Sequence, residues 1–269
     1  MTGSILAAPA FVLLIVGISM AAYGLTRRLL RGHMDEDTRD LAGSVLFRIA
    51  SLHGLVLALV FAQDLANLRD VSVSAAHEAT LVADIYYDAG RYAGPESAAI
   101  QHAMAHYGLL VAEEEWPRLA EQRRLLPEAW GTWERAYHLL LDATPATARQ
   151  ERLHGIMLTD IRLLSELRDT RGNVAQAGVS TVFVFAALIG VILVSAAYFP
   201  WAPTRLNLGL IAGFSAFTGV VLYIIIAFSN PFASPGRAPT VGFERFLTPE
   251  VRAMAAQPVP AQAQEAPAD

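Results

Sequence analysis

Apolar residues are distributed along this chain in four blocks. They run from Ile5 to Leu25, Ser44 to Ala62, Gly178 to Phe199 and Leu206 to Phe228. Each is close to the ~20 residues that a helix needs to cross a hydrocarbon core. The first carries no charge, whereas the second contains Arg48 and His53. A membrane arginine is costly at mid-helix, but Arg48 lies close enough to one end to snorkel toward headgroups. The clean apolar run from Gly54 to Ala62 makes this block a span as well.

Between the second and third blocks the period changes from uniform to amphipathic. Leu65, Leu68, Ser72, Ala75, Ala79, Val82, Ile85 and Tyr86 recur at intervals of three and four, the signature of one helix face. No proline interrupts this stretch, so the second span is predicted to continue out of the bilayer for about 40 Å. Gly94-Pro95 breaks it, and Pro95 suits the first turn of the next helix. That helix presents Ile100, Met104, Tyr107 and Val111, with Trp116-Pro117 as its predicted end. A third helix follows Pro127, with Trp130, Trp133 and Tyr137 on one side. A fourth starts near Pro145, carries Leu153, Met157, Ile161, Leu164 and Leu167, and leads toward the third span with a joint near Gly172. The expectation is an all-α, polytopic membrane protein with four transmembrane helices and a helical-bundle insert between the second and third. Its parts are residues 1–63 (two spans), 64–176 (the water-exposed bundle), 177–229 (two spans) and 230–269. Beyond Phe246 the chain is rich in Ala, Pro and Gln, which predicts a disordered tail.

Composition adjusts this picture in a few places. Mean hydropathy is +0.38, high for a soluble domain. The net charge of −5 gives no basic footprint for nucleic acid, and there are no cysteines for thiolate metal sites or disulfides. The first block lacks a basic residue before it and has Arg27, Arg28 and Arg31 after it, the pattern of a retained anchor and not of a cleaved signal peptide. The short loops carry Arg27, Arg28, Arg31, Arg39 and Arg205. By the positive-inside rule these face the cytoplasm, placing the insert outside an inner, multi-pass cell membrane.

Two stripes divide the second span. Arg48 shares a face with Ser44, Ser51, Leu55, Leu59 and Gln63; His53, about 140° away at ~100° per residue, shares one with Leu46, Ile49, Leu57, Val60 and Asp64. The first stripe reads either as the lining of an anion path gated by Leu55 and Leu59, or as a structural arginine paired to lipid phosphate, a helix end or another subunit. His53 reads as a hydrogen-bonding partner of another helix. Gly209, Ala212, Gly213, Ala216 and Gly219 on the fourth span read as a close-packing stripe. In the insert, Glu151 and His154 are one half of a di-iron pattern that lacks its second half, and His102 and His106 read as a solvated pair. Glu113, Glu114 and Glu115 read as a solvated helix end with Trp116 anchoring it. Glu78 and Asp84 read as ion-pair partners of Arg168 or Arg171. No nucleophile–base set, phosphate loop or cofactor motif is present, so no enzyme, metal or cofactor is expected.

The order of short motifs also carries a resemblance. Tyr23-Gly24-Leu25 and Arg31-Gly32-His33 come first, then Phe61-Ala62-Gln63, His77-Glu78-Ala79 and Ala83-Asp84-Ile85-Tyr86. Tyr107, Glu114-Glu115-Trp116-Pro117, Arg168, Arg171 and Asn230-Pro231-Phe232 complete the series, with Val241-Gly242-Phe243 beyond. Over roughly residues 20 to 247 this resembles the bestrophin-like family of bacterial membrane proteins. The resemblance implies a homo-oligomer in the lipid bilayer that passes an inorganic anion, since bestrophins are pentameric anion channels. It marks His33, Glu78, Asp84, Glu115, Trp116, Pro117, Arg168, Arg171, Pro231 and Phe232 as motif positions. The chain departs from the pattern at Asn230, where the family has an acid. Its second span offers Leu and Val with Phe61 alone where bestrophins have an aromatic and isoleucine neck, and no acidic cluster matches a calcium clasp. The competing reading is a non-conducting sensor or adaptor that binds a ligand or partner through its bundle.

Overall fold

The computed structural model describes residues 7–178 and 181–257. Ile5, Val179, Ser180 and the Pro258-Val259-Pro260 stretch lie outside them. The described residues form ten α-helices and one π turn: α1 Ala7–Leu29, α2 Glu36–Tyr92, α3 Ser97–Leu110, the π turn Val111–Glu115, α4 Trp116–Gln122, α5 Pro127–Asp142, α6 Ala148–Ala177, α7 Thr181–Ala197, α8 Arg205–Phe228, α9 Val241–Phe246 and α10 Pro249–Ala255. Four helical stretches, α1, α2, α6–α7 and α8, are long and apolar enough to cross a membrane.

The chain divides into two compact units. One comprises Met1–Ala66, Ala177–Asn230 and Ser234–Gly236; the other comprises Asn67–Gln176, Pro231–Ala233 and Arg237–Asp269.

The first unit is held by apolar contact and neutral hydrogen bonds. Ile15, Leu57, Ala187, Val191, Leu222 and Ile225 form its core. Three hydroxyls meet inside it: Ser19 bonds Ser195 at 2.6 Å, and Ser215 has its one proton to give either to Ser19 or to its own Ile211 carbonyl. Tyr23 donates to the Trp201 carbonyl at 2.7 Å, and Arg27 donates to the carbonyls of Phe199 and Trp201 at 2.7 and 2.8 Å. These bonds tie α1 to the turn between α7 and α8, whose carbonyls have no helical partner. Among the glycines of the predicted small-residue stripe, Gly219 faces Val12 and Ile15 of α1, whereas Gly209 and Gly213 meet nothing nearby within this chain. Much of this unit's apolar surface is uncovered by the chain itself, including Leu13, Leu25, Phe185, Leu206 and Phe217. That is the surface of helices whose solvent is lipid.

The second unit has an ordinary buried core, with Ile100, Met104, Tyr107, Trp116, Phe232 and Phe243 among its fully buried residues. Three sequence expectations change here. Trp116-Pro117 does not end its helix. The Trp116 N–H bonds the Val111 carbonyl, five residues back, so the chain widens into a π turn where Pro117 has no N–H to offer, and the helix resumes. It stops at Arg123, which takes φ 56°. No break falls at Gly172, where a joint was expected: α6 runs unbroken to Ala177, before Gly178 (φ 50°). Gly172 is helical and lacks a side chain because Leu125 packs directly on it. The disordered tail does not begin at Phe246, because α10 follows, capped by Thr248, and buries Val251 and Ala255.

Candidate functional site

The motif residues of the second unit converge on one buried ionic cluster. α2 supplies Glu78, α3 supplies Tyr107, the π turn supplies Glu115, and α6 supplies Arg168 and Arg171 one turn apart. Arg171 forks between the two acids, with Nη1 on Glu78 Oε2 and Nη2 on Glu115 Oε1. Arg168 Nη2 donates to Glu115 Oε2 at 2.7 Å and to the Leu126 carbonyl at 2.8 Å. The Leu126 N–H also donates to Glu115 Oε2, at 2.7 Å. The Tyr107 hydroxyl donates to Glu78 Oε1 at 2.7 Å. Every carboxylate oxygen is therefore occupied, and the two acids balance the two guanidiniums. The four charged side chains are 0–5% exposed.

Indole faces complete the enclosure. Arg171 lies over Trp116 at 5.4 Å and Arg168 over Trp130 at 5.5 Å, geometry that stabilises a cation. Trp116 donates its Nε1–H to the Ala238 carbonyl at 3.2 Å and meets Phe232 edge-on at 5.3 Å. Phe232 is thus packed against the cluster's lid, and the Pro231 carbonyl accepts from the Ala238 N–H at 2.7 Å. Burial opposes the charge on Arg171, but Glu78 and Glu115 outweigh it and hold its pKa above the ordinary value. Burial, with Glu78 next, pushes Tyr107 well above the ordinary phenol value, so it remains a donor. All four carboxylate oxygens are taken, whereas the Nε–H groups of Arg168 and Arg171 are buried without a partner; a neutral, closed cluster of this kind is suited to locking segments together, not to acid–base turnover. A cavity of about 40 Å³ beside it, lined by Asp70, Ser74, Glu78, Leu167 and Arg171 among others, has room for only a few waters.

The other motif positions stand apart. His33 is exposed in the loop between α1 and α2, and Pro117 is exposed on α4. Asp84 is exposed and does not join the arginines, which corrects the pairing expected for it; Glu115, expected in a solvated helix end, is fully buried, while Glu113 and Glu114 are exposed. Tyr107, Trp130 and the Leu126 backbone are parts of the cluster that the sequence reading did not assign. Of the predicted His102 and His106 pair, His102 is buried and not solvated, with Nε2 2.8 Å from the Gln257 carbonyl. His154 bonds the Leu140 carbonyl at 2.7 Å.

In the first unit the two stripes of α2 face different surroundings. His53 and Leu57 are buried. The His53 ring presses on Gly190 of α7 so closely that a Cβ there would collide with it. The expected hydrogen bond to another helix is not made, because Nε2 is buried without a partner. Ser44, Arg48, Ser51, Leu55, Leu59 and Gln63 are all exposed on the chain's own surface.

Long apolar helices in one unit and an ionic helical core in the other define a helical membrane protein. Its family is shown by sequence: the bestrophin-like domain matches residues 13–235, and the chain belongs to the bestrophin-like family. Its fold is similar to that of crystallised variants of a bacterial bestrophin homologue from Klebsiella pneumoniae. One has a TM-score of 0.57 at 15% identity, covering 93% of this chain and 99% of that one. Another has a TM-score of 0.55 at 15% identity, covering 92% and 98%. A structure described only as a membrane protein variant gives 0.55 at 14% identity, covering 93% and 99%. No curated protein matches the chain.

Proposed function

We propose that this protein is an oligomeric channel for small inorganic anions. In this reading the chain spans the inner membrane four times, with residues 64–176 inserted between the second and third spans outside the cytoplasm. The face of α2 bearing Ser44, Arg48, Ser51, Leu55, Leu59 and Gln63 lines the path. The observation that carries the reading is that Ser44, Arg48, Ser51 and Gln63 are exposed along a span whose other exposed residues, such as Phe47, Leu52 and Val56, are apolar. Arginine and serine facing hydrocarbon are costly, so such a face is covered by water or by another subunit, or, for Arg48 near the helix end, by lipid headgroups. A ring of arginines from several subunits attracts anions, and Leu55 and Leu59 supply an apolar constriction. Family membership and the fold of the bacterial homologues support the same reading.

The test is anion flux in liposomes with wild type, Arg48→Gln and Arg48→Glu. Arg48→Glu is expected to abolish or reverse anion preference while the protein still assembles, because a repulsive field replaces an attractive one where charge effects exceed those in water. Arg48→Gln keeps hydrogen bonding but loses the charge. A well-folded, conducting Arg48→Gln protein with unchanged selectivity contradicts the pore-lining assignment. The chain has no cysteine, so single cysteines introduced at exposed positions of α5 report its side directly by labelling with a membrane-impermeant reagent.

A further inference from the structure

The carboxyl-terminal end of the described chain lies across α3, and its contacts centre on two histidines. α10 buries Val251 and Ala255. Arg252 pairs with Glu113 of the π turn, and the chain then brings the Gln257 carbonyl to 2.8 Å from His102 Nε2. His102 is 4% exposed beneath it. One turn along α3, the His106 ring stands 6.1 Å from that of His102, and its Nδ1 is buried without a partner.

We propose that residues 248–257 form a proton-released strap, docked on α3 at neutral pH and freed when both His102 and His106 carry a proton. The Gln257 carbonyl accepts from either charge state of His102, so the first proton leaves the strap in place. The second sets two cations one turn apart on a buried face, where like charges repel strongly. The groups around His106 are His102, Arg135 of α5 and Glu114 of the π turn. Arg252 of α10 is engaged with Glu113. Burial, then His102 and Arg135, hold His106 below the ordinary histidine value, with Glu114 acting the other way. A histidine depressed in the docked state contributes stability above its free pKa of ~6.5 and loses it as pH falls through the docked value. Relief comes from uncovering His102 to water.

The strap is the element that yields. α10 has seven residues, too few to be helical alone. Its ion pair to Glu113 is about half exposed on each side and is worth little in water. α3 and α5 place six and four residues in the buried core, against two, Val251 and Ala255, from α10.

The test is hydrogen exchange on the full chain in lipid nanodiscs at about pH 7.5 and about pH 5.5, on either side of the histidine range, normalised to intrinsic rates. In wild type, peptides covering residues 248–257 are expected to lose about tenfold in protection at the lower pH, about 1.4 kcal/mol, while α5 does not change. His106→Gln and His102→Gln each remove one charge of the pair and keep hydrogen bonding, so each is expected to hold the strap's protection constant across that interval. Equal protection of the wild-type strap at both pH values overturns the proposal. So does an undiminished acid loss in either glutamine variant. The wild-type comparison decides even if one variant fails to fold.

Discussion

The two units of this chain solve the problem of internal polarity in opposite ways. The lipid-type unit buries no ion pair among its described residues. Its buried hydroxyls are those of Ser19, Ser195, Ser215 and Thr218, of which the last three reach a carbonyl of their own helix four residues back, and one histidine is seated on a glycine. The second unit encloses two glutamates and two arginines with an occupant for each carboxylate oxygen. Where water is absent on the outside, a misplaced charge has no escape, and neutral groups that satisfy themselves locally are the safer glue. In the second unit a closed ionic cluster joins distant segments, at the risk that losing one member strands the others.

This difference predicts a ranking of mutational effects. Arg171→Met is expected to be the most damaging, because it strands Glu78 and Glu115 together in the core; breaking a buried pair costs about 3–5 kcal/mol. Thermal unfolding in detergent reads it, and an unchanged melting temperature would break the contrast between the units. Gly190→Ala comes next, at about 1–3 kcal/mol of overpacking against His53. The double change with His53→Ala removes the collision, so the cost is expected to vanish in that background, the coupling that a double-mutant cycle detects. Ser19→Ala is the smallest, because membrane hydrogen bonds average about 0.6 kcal/mol. Ser195 and Ser215 also keep their local carbonyl partners. A Ser19→Ala loss as large as that of Arg171→Met would show that the lipid-type unit depends on its polar interior after all.

The sequence disclosed the four spans and the helical second unit because lipid and core burial both write long, regular patterns. It disclosed the cluster only partly. Pairing of Glu78 with Arg171 was visible as opposite charges on two long helices. Glu115 was not, because three consecutive glutamates read as a solvated end. Yet extending the spacing of Ile100, Met104, Tyr107 and Val111 by four lands on Glu115, and that signal marks it as an inward residue. Trp116-Pro117 misled in the other direction. A π turn absorbs the proline and brings Trp116 inward beside Glu115 before the regular spacing resumes at Leu119, a local change no regular period reveals. The stripe ending at Gly219 was legible as small residues, but spacing alone does not say which of them has a neighbour. The exposed face of α2 was legible as a stripe, whereas what covers it depends on chains other than this one.

The proposed ion path runs along that exposed face of α2, with the ionic cluster of the second unit as a lock. Its most direct test is the reversal potential of purified wild-type protein in a planar bilayer under a chloride gradient. A current reversing near the chloride equilibrium potential is expected, with preference lost in Arg48→Gln. A protein that is folded and oligomeric, yet passes no ion at any pH or calcium level tried, would rule out the path and leave a sensor or adaptor as the function of this fold.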